Sequence, residues 1–398
     1  MHKRMGLTAL ALLVCVSAAW IVNGQQVVRF TDPQLEAVVR EAVYIERGAL
    51  RDYDIGWLTE LRGPRRGITS LAGLQHCPLL ATVDLSENSI EDLSPLSGAL
   101  SLSVLLLNSN QVSSVVPLRR LETLRVLHLR HNEIRDVSAL TSLRALVSLD
   151  LHGNPIQSLA PLTELTRLEH LSVSCEADCP ISPLYPLRQL RTLSIETTAD
   201  VNLTSLGAME QLAKLELISA QVSDFEPLRR LPDLKSLWLR NVSFGDLVEV
   251  VDVLPGLVEI GLAEMEIDDW NPLLQLEQLE RIHLQSVGTG IPEIIFQYPW
   301  MIALSLSGNE ITDISPLVVF RHLIELDLSE NDIERITALP SLGRLEVLDL
   351  SENPVADIEP IQRLWRLKRL DLRNTEVLVI GPLLLVDTLE FVDLRGTP

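Results

Sequence analysis

The sequence predicts an α/β solenoid: a parallel β-sheet on a concave side, returns of mostly 3-10 or extended chain on the convex side, and a short helical N-terminal cap. Three observations carry this. A 22-residue repeat keeps register through most of the chain, each repeat alternates apolar and polar residues over a few positions, and a helix-starting signature precedes the first repeat.

The repeat comes first, because self-similarity at a fixed period overrides the two- or three-domain expectation that length alone would give. In Val83-Asp84-Leu85-Ser86-Glu87-Asn88 the asparagine marks a place that returns at Asn110, Asn132 and Asn154, and again at Asn309, Asn331 and Asn353. Glu176, Thr198, Ala220, Val242, Met265 and Val287 hold the place in between, while the apolar framework before it stays in phase. Only the step from Val242 to Met265 is 23 residues. Arg66 marks a degenerate first turn, and Thr375 and Thr397 continue the phase, giving about sixteen turns.

Within a turn such as Leu323-Ile324-Glu325-Leu326-Asp327-Leu328, the leucines at 323, 326 and 328 point inward. Alternation puts Glu325 and Asp327 on the opposite face, as a short strand requires. The marker asparagine is placed to satisfy backbone groups where the chain leaves the strand. The return, as in Ile311-Thr312-Asp313-Ile314-Ser315-Pro316-Leu317, contains a proline that disfavours a full α-helix and selects a 3-10 or extended path. No turn buries its leucines alone, so stacking must build one continuous core. Before the repeats, Asp32 is a credible N-cap with Pro33 at the first helical position.

The N-terminus reads as an export signal, with His2, Lys3 and Arg4 before an apolar run from Leu7 to Ala19 and small residues near the cleavage points after Ala19 or Gly24. An uncleaved anchor and, more weakly, lipidation at Cys15 are alternatives. The division is residues 1–24 signal peptide, 25–57 helical cap and 58–398 solenoid. Ending just after a strand at Thr397-Pro398, the sequence also suits a fragment of a longer chain.

The pattern L-x-x-L-x-L-x-x-N-x-I-x-D-I-x-P-L at this period resembles the internalin-like class of bacterial leucine-rich repeats, and is similar to short-repeat phosphatase-regulating proteins. The stretch from Phe30 to Ala42 looks like the cap of internalin-like proteins, and Gly67 to Leu74 like their first turn. This resemblance implies a leucine-rich-repeat horseshoe that is bacterial, exported and protein-binding. It leaves the partner unspecified.

A formal net charge of −21 argues against nucleic acid, whose phosphates want a basic face, and against anionic lipid. No membrane insertion is expected once the signal is removed, and no cofactor or metal. Cys175 and Cys179 are a disulfide candidate, with two free thiols as the alternative; Cys77 reads as a buried small hydrophobe.

Three zones stand out among the outward strand positions. The first is histidine-rich, with His128, Arg130, His131, Asp150 and His152, and a polar recognition patch is favoured there over a metal site. The second centres on Trp238 and Arg240, with Lys214 and Ile218 nearby, the composition of a binding hot spot. Its alternative is a tryptophan lying flat over its neighbours. The third is an acidic ladder of Asp327, Asp349, Asp371 and Asp393 flanked by Glu325, Glu330 and Glu352, with Arg369, Arg373 and Arg395 neutralising its far end. Stacked like charges repel, so the ladder suits a basic partner. Ser172, Asp150 and His128 fail as a catalytic triad, because the aspartate lies between the other two. The expected function is therefore a non-enzymatic, monomeric protein-binding module, secreted, periplasmic or on the cell surface. An envelope-structural or glycan-associated role is one alternative. An intracellular phosphatase-regulator-like scaffold is another, if residues 1–24 are no signal.

Overall fold

The computed structural model describes residues 26–176, 180–288 and 290–398, so the expected signal segment and Cys179 lie outside the described residues. The chain falls into two compact units, residues 1–190 and 191–398.

The first unit opens with helix α1, Pro33–Val43, which buries Leu35, Val38, Val39 and Val43. The Asp32 Oδ1 caps it, accepting from the N–H groups of Gln34 at 2.8 Å and Leu35 at 3.1 Å. Its Oδ2 accepts from the Thr69 N–H at 2.6 Å and hydroxyl at 2.9 Å. One buried carboxylate thus starts the helix and ties it to the first turn. Burial pushes the Asp32 carboxyl up, but these donors outweigh it and hold the group below its usual range. A second short helix, α2, covers Asp52–Ile55. Parallel strands then follow in chain order: β1 Glu60–Arg62, β2 Thr82–Asp84, β3 Val104–Leu106, β4 Val126–His128, β5 Ser148–Ile156 and β6 His170–Cys175. The register is the repeat itself, Leu61 to Val83, Leu105, Leu127, Leu149 and Leu171.

The second unit repeats the plan with β7 Thr192–Glu196, β8 Lys214–Ile218, β9 Ser236–Arg240, β10 Glu259–Ala263, β11 Arg281–Gln285, β12 Ala303–Ser305, β13 Glu325–Asp327, β14 Val347–Asp349, β15 Arg369–Asp371 and β16 Phe391–Asp393. All pair in parallel and in chain order. The inward residues Leu323, Leu326 and Leu328 are at most 1% exposed.

The marker asparagines form the ladder that the sequence suggests. The Asn110 Nδ2 donates to the carbonyls of Leu85 and Leu107, both at 3.1 Å, and its Oδ1 accepts from the Ile90 N–H at 2.9 Å. The same bonds recur at Asn132, Asn154, Asn331 and Asn353. The chain leaves the strand at the residue before the marker, which takes a left-handed conformation at Glu87, Ser109, Glu330 and Glu352. Strands β7 to β11, whose markers are not asparagine, have five residues, against three in β2 to β4 and β12 to β14, although β15 and β16, with threonine markers, also have three and β5, with Asn154, has nine.

The proline-bearing returns are single 3-10 turns, as at Ser315–Val319 and Glu359–Arg363. One return differs. Leu247–Val253 is an α-helix, α3, capped by Asp246, whose side chain accepts from the Val248 and Glu249 N–H groups. The single 23-residue step falls in this turn and supplies the extra residue that the wider helix needs.

Candidate binding face

Strand alternation turns every second side chain of the sheet away from the core, and parallel register sets equivalent positions side by side at about 4.8 Å. The three expected zones all lie on this outer face, each within one unit.

In the first unit, His128 of β4 stands in register with Asp150 of β5, and Asp150 with Ser172 of β6. His128 and Ser172 are thus two strands apart. The serine that His128 meets is Ser148, with Nε2 to Oγ at 3.0 Å. Ser148 lies two residues before Asp150 on the same face, a neighbour the alternation signals but a single outward row overlooks. Burial lowers the His128 pKa, and the Asp150 charge works against that. The His131 and His152 rings meet edge to face at 5.5 Å, and Arg130 Nε points to His131 Nε2 at 3.2 Å. Among the described residues no three His, Cys, Asp or Glu side chains converge in a way that could hold a metal ion. Cys175, at the end of β6, is buried and disulfide-bonded.

The Trp238 zone is built differently from an exposed anchor. The indole lies flat across the next strand, where a Cβ on Gly261 would come within 2.3 Å of Trp238 Cε3. It reaches His283 one strand further, with ring centroids 4.4 Å apart and planes tilted by 31°. Lys214 Nζ stands 4.7 Å from the indole centroid. The indole N–H is buried and has no acceptor among the described residues. Beneath the stack, Glu259 accepts from Ser236 Oγ at 2.7 Å and lies 3.3 Å from His283 Nε2. His283 foremost, with Ser236 and Lys214, holds the Glu259 carboxyl down at about 2 against its burial. Arg240 is exposed, its Nε 3.4 Å from Glu264 Oε1. Glu264 also lines a cavity of about 600 Å³ between residues 241–248 and 264–272, walled by Asp246, Glu266, Asp268 and Asp269. The cavity sits where the chain makes its 23-residue step, and that step was the signal for it.

In the acidic ladder, Asp327, Asp349, Asp371 and Asp393 are in direct register. Each carboxylate accepts the N–H two residues on, from Ser329, Ser351, Arg373 and Arg395. Burial raises the Asp349 pKa, and the charges of Asp327 and Asp371 add to that. At the far end, Arg395 pairs with Asp393 at 2.6 Å and holds its carboxyl down at about 2. Arg373 pairs with Asp371 at 2.8 Å. Arg369 instead lies over the Phe391 ring, so two of the three expected arginines face the ladder. Glu325 is 3.7 Å from Arg281.

A strand, a polar turn and a short return, stacked on copies of themselves, define a repeat solenoid, an architecture that offers extended binding surfaces. Family models described as leucine rich repeats (2 copies) and leucine rich repeat match residues 122–164 and 300–355. The chain carries leucine-rich repeats, and its fold is similar to that of internalins and related bacterial repeat proteins. An internalin, InlF, from Listeria monocytogenes is 24% identical, over 92% of this chain and 95% of its own, with a TM-score of 0.52. A leucine-rich-repeat protein from Leptospira interrogans is 23% identical over 85% of this chain and 97% of its own, with a TM-score of 0.50. The functional domain of InlJ from Listeria monocytogenes, which includes a cysteine ladder, is 16% identical over 90% and 77%, with a TM-score of 0.50. These likenesses are of fold. No curated protein matches the chain by sequence. Among the described residues no helix is long and apolar enough to cross a membrane.

Proposed function

We propose that the protein is an exported or cell-surface, non-catalytic binding module, acting as a monomer, whose sheet face grips a protein partner. The observation that carries this reading is the outer face of β8 to β11. An indole, an imidazole, a lysine and an exposed arginine meet there on a rigid sheet. Aromatic and arginine side chains on a rigid support are the composition of interface hot spots. His128, Arg130, His131, Asp150 and His152 supply a second polar contact area. The row of Glu325, Asp327, Asp349 and Asp371 favours basic groups on the partner. The His128–Ser148 contact does not alter the non-catalytic reading: Asp150 Oδ1 accepts from the His152 N–H, and among the described residues no carboxylate is hydrogen-bonded to the His128 ring. The Cys175–Cys179 pairing belongs to this proposal as a loop staple for an oxidising compartment.

The test is affinity capture from envelope and culture fractions, with the full chain and a Trp238→Ala/Arg240→Glu variant as baits. A partner retained by the wild type and lost by a variant with an unchanged circular dichroism spectrum supports the reading. Recovery of one partner by both baits moves the site to the acidic ladder. Specific recovery by neither refutes the binding module.

A further inference from the structure

The Trp238 site contains a conflict that its neighbours resolve. A buried indole N–H without an acceptor costs free energy, so the flat position must be held by other contacts. Those contacts are the Gly261 seat, which leaves room only because it has no side chain, the Lys214 ammonium and the His283 ring. One of the three is an imidazole, the kind of side chain whose charge can be switched near physiological pH.

We propose that His283 is a proton-operated latch on Trp238: charged, it clamps the indole flat against Gly261, and neutral, it releases the indole toward a partner. This rests on the binding reading above and adds its regulation. The surroundings of His283 give the direction. From β10, the ionised Glu259 stands 3.3 Å from His283 Nε2 and attracts the charged ring. From β9, the indole offers its π face, which a cation prefers to a neutral ring. From β8, Lys214 over the indole opposes a second positive charge, and Glu216 stands in register with Trp238. On its own strand, Arg281 turns to Glu325 of β13 at 3.7 Å. On β12, Ser305 is the residue in register with His283, and its hydroxyl is committed to Asp327 at 2.8 Å. The carboxylate and the π face are the groups touching the ring, so protonation strengthens the clamp. Release frees the indole N–H to meet an acceptor, which a partner's carbonyl or carboxylate would supply. Acid therefore closes the site and neutral pH opens it.

Acrylamide quenching of the full chain reads this without any partner. The Trp238 contribution is the difference between the wild type and Trp238→Phe. The quenching constant of that contribution should rise about twofold or more between about pH 5.5 and pH 8. His283→Gln should remove the rise. Gly261→Ala should give the open value at both pH values, since its Cβ takes the indole's seat. A pH-independent contribution in the wild type, or a rise that survives His283→Gln, overturns the latch. Neither result touches the capture experiment. If no partner is captured while the rise is present and lost in His283→Gln, the binding reading fails and the latch stands.

Discussion

Asn331→Ala tests the asparagine ladder at a buried marker. Asn331 is 5% exposed. Its Nδ2 donates to the carbonyls of Leu306 at 3.0 Å, Leu328 at 2.9 Å and Ser329 at 2.9 Å. Its Oδ1 accepts from the N–H groups of Asn309 at 3.0 Å and Ile311 at 2.9 Å. Alanine removes all of these and leaves two buried N–H groups with no acceptor. An orphaned buried polar group costs about 1–3 kcal/mol, so two donors, with some relaxation, give a loss of about 3–5 kcal/mol. Asn331→Thr is the graded control. A hydroxyl at this place still bonds the carbonyl three residues back, as Thr375 does to Leu372 at 2.7 Å. It leaves both N–H groups orphaned, so it should recover only a minor part. The assay is urea unfolding by circular dichroism, with hydrogen exchange at the Asn309 and Ile311 amides, because a solenoid opens locally before it unfolds. A loss under about 1 kcal/mol for alanine, with protection at 309 and 311 unchanged, would refute the view that the side chain carries those bonds.

Two further substitutions follow from the second unit. Asp246→Ala removes the N-cap of α3 and should cost about 1 kcal/mol, read as lost exchange protection at the amides of Val248 and Glu249. Asp349→Asn keeps an oxygen for the Ser351 N–H and removes the middle charge of the ladder. The folded carboxyl is raised by burial first and by its acidic neighbours second. Its contribution is therefore intact below the unfolded carboxyl value and lost as pH rises through the folded one. The variant should match the wild type in acid and exceed it by about 0.2–1 kcal/mol at neutral pH, in urea midpoints across the range.

The solenoid was legible because its signals are local and repeated. Every turn must hide the same three leucines and close the same backbone gap, so selection for stacking writes one pattern many times. Asp32 was legible for the same reason, since a helix N-terminus needs an acceptor within three residues. Its second task, holding Thr69, was not, because that contact depends on how the cap docks. The α3 return was signalled by the 23-residue step, but one extra residue does not fix a helix until the wider return finds room. Trp238 was harder still. Whether an outward tryptophan stands up or lies down depends on Gly261 one strand away and His283 two strands away. Those residues are 23 and 45 positions along the chain, beyond any local pattern. The row of outward residues did contain all three, and reading it across the strands would have set the tryptophan beside the one glycine able to receive it.

That contrast separates architecture from recognition on the same face. Asp84, Asp150, Asp327, Asp349, Asp371 and Asp393 each accept the N–H two residues on, so the aspartates of the outward row fasten the strand ends wherever they occur. A residue that does one task in every turn is a poor discriminator of partners, however charged the row looks. Discrimination has to come from places where the row departs from aspartate and a side chain reaches across strands. In the second unit that happens from Trp238 through Gly261 to His283, where the marker asparagine is also absent and the strands are longest. The five-residue strands there hold more backbone in the ladder than the three-residue strands of β12 to β16, so the Gly261 seat of the indole is fixed by main-chain pairing on both sides.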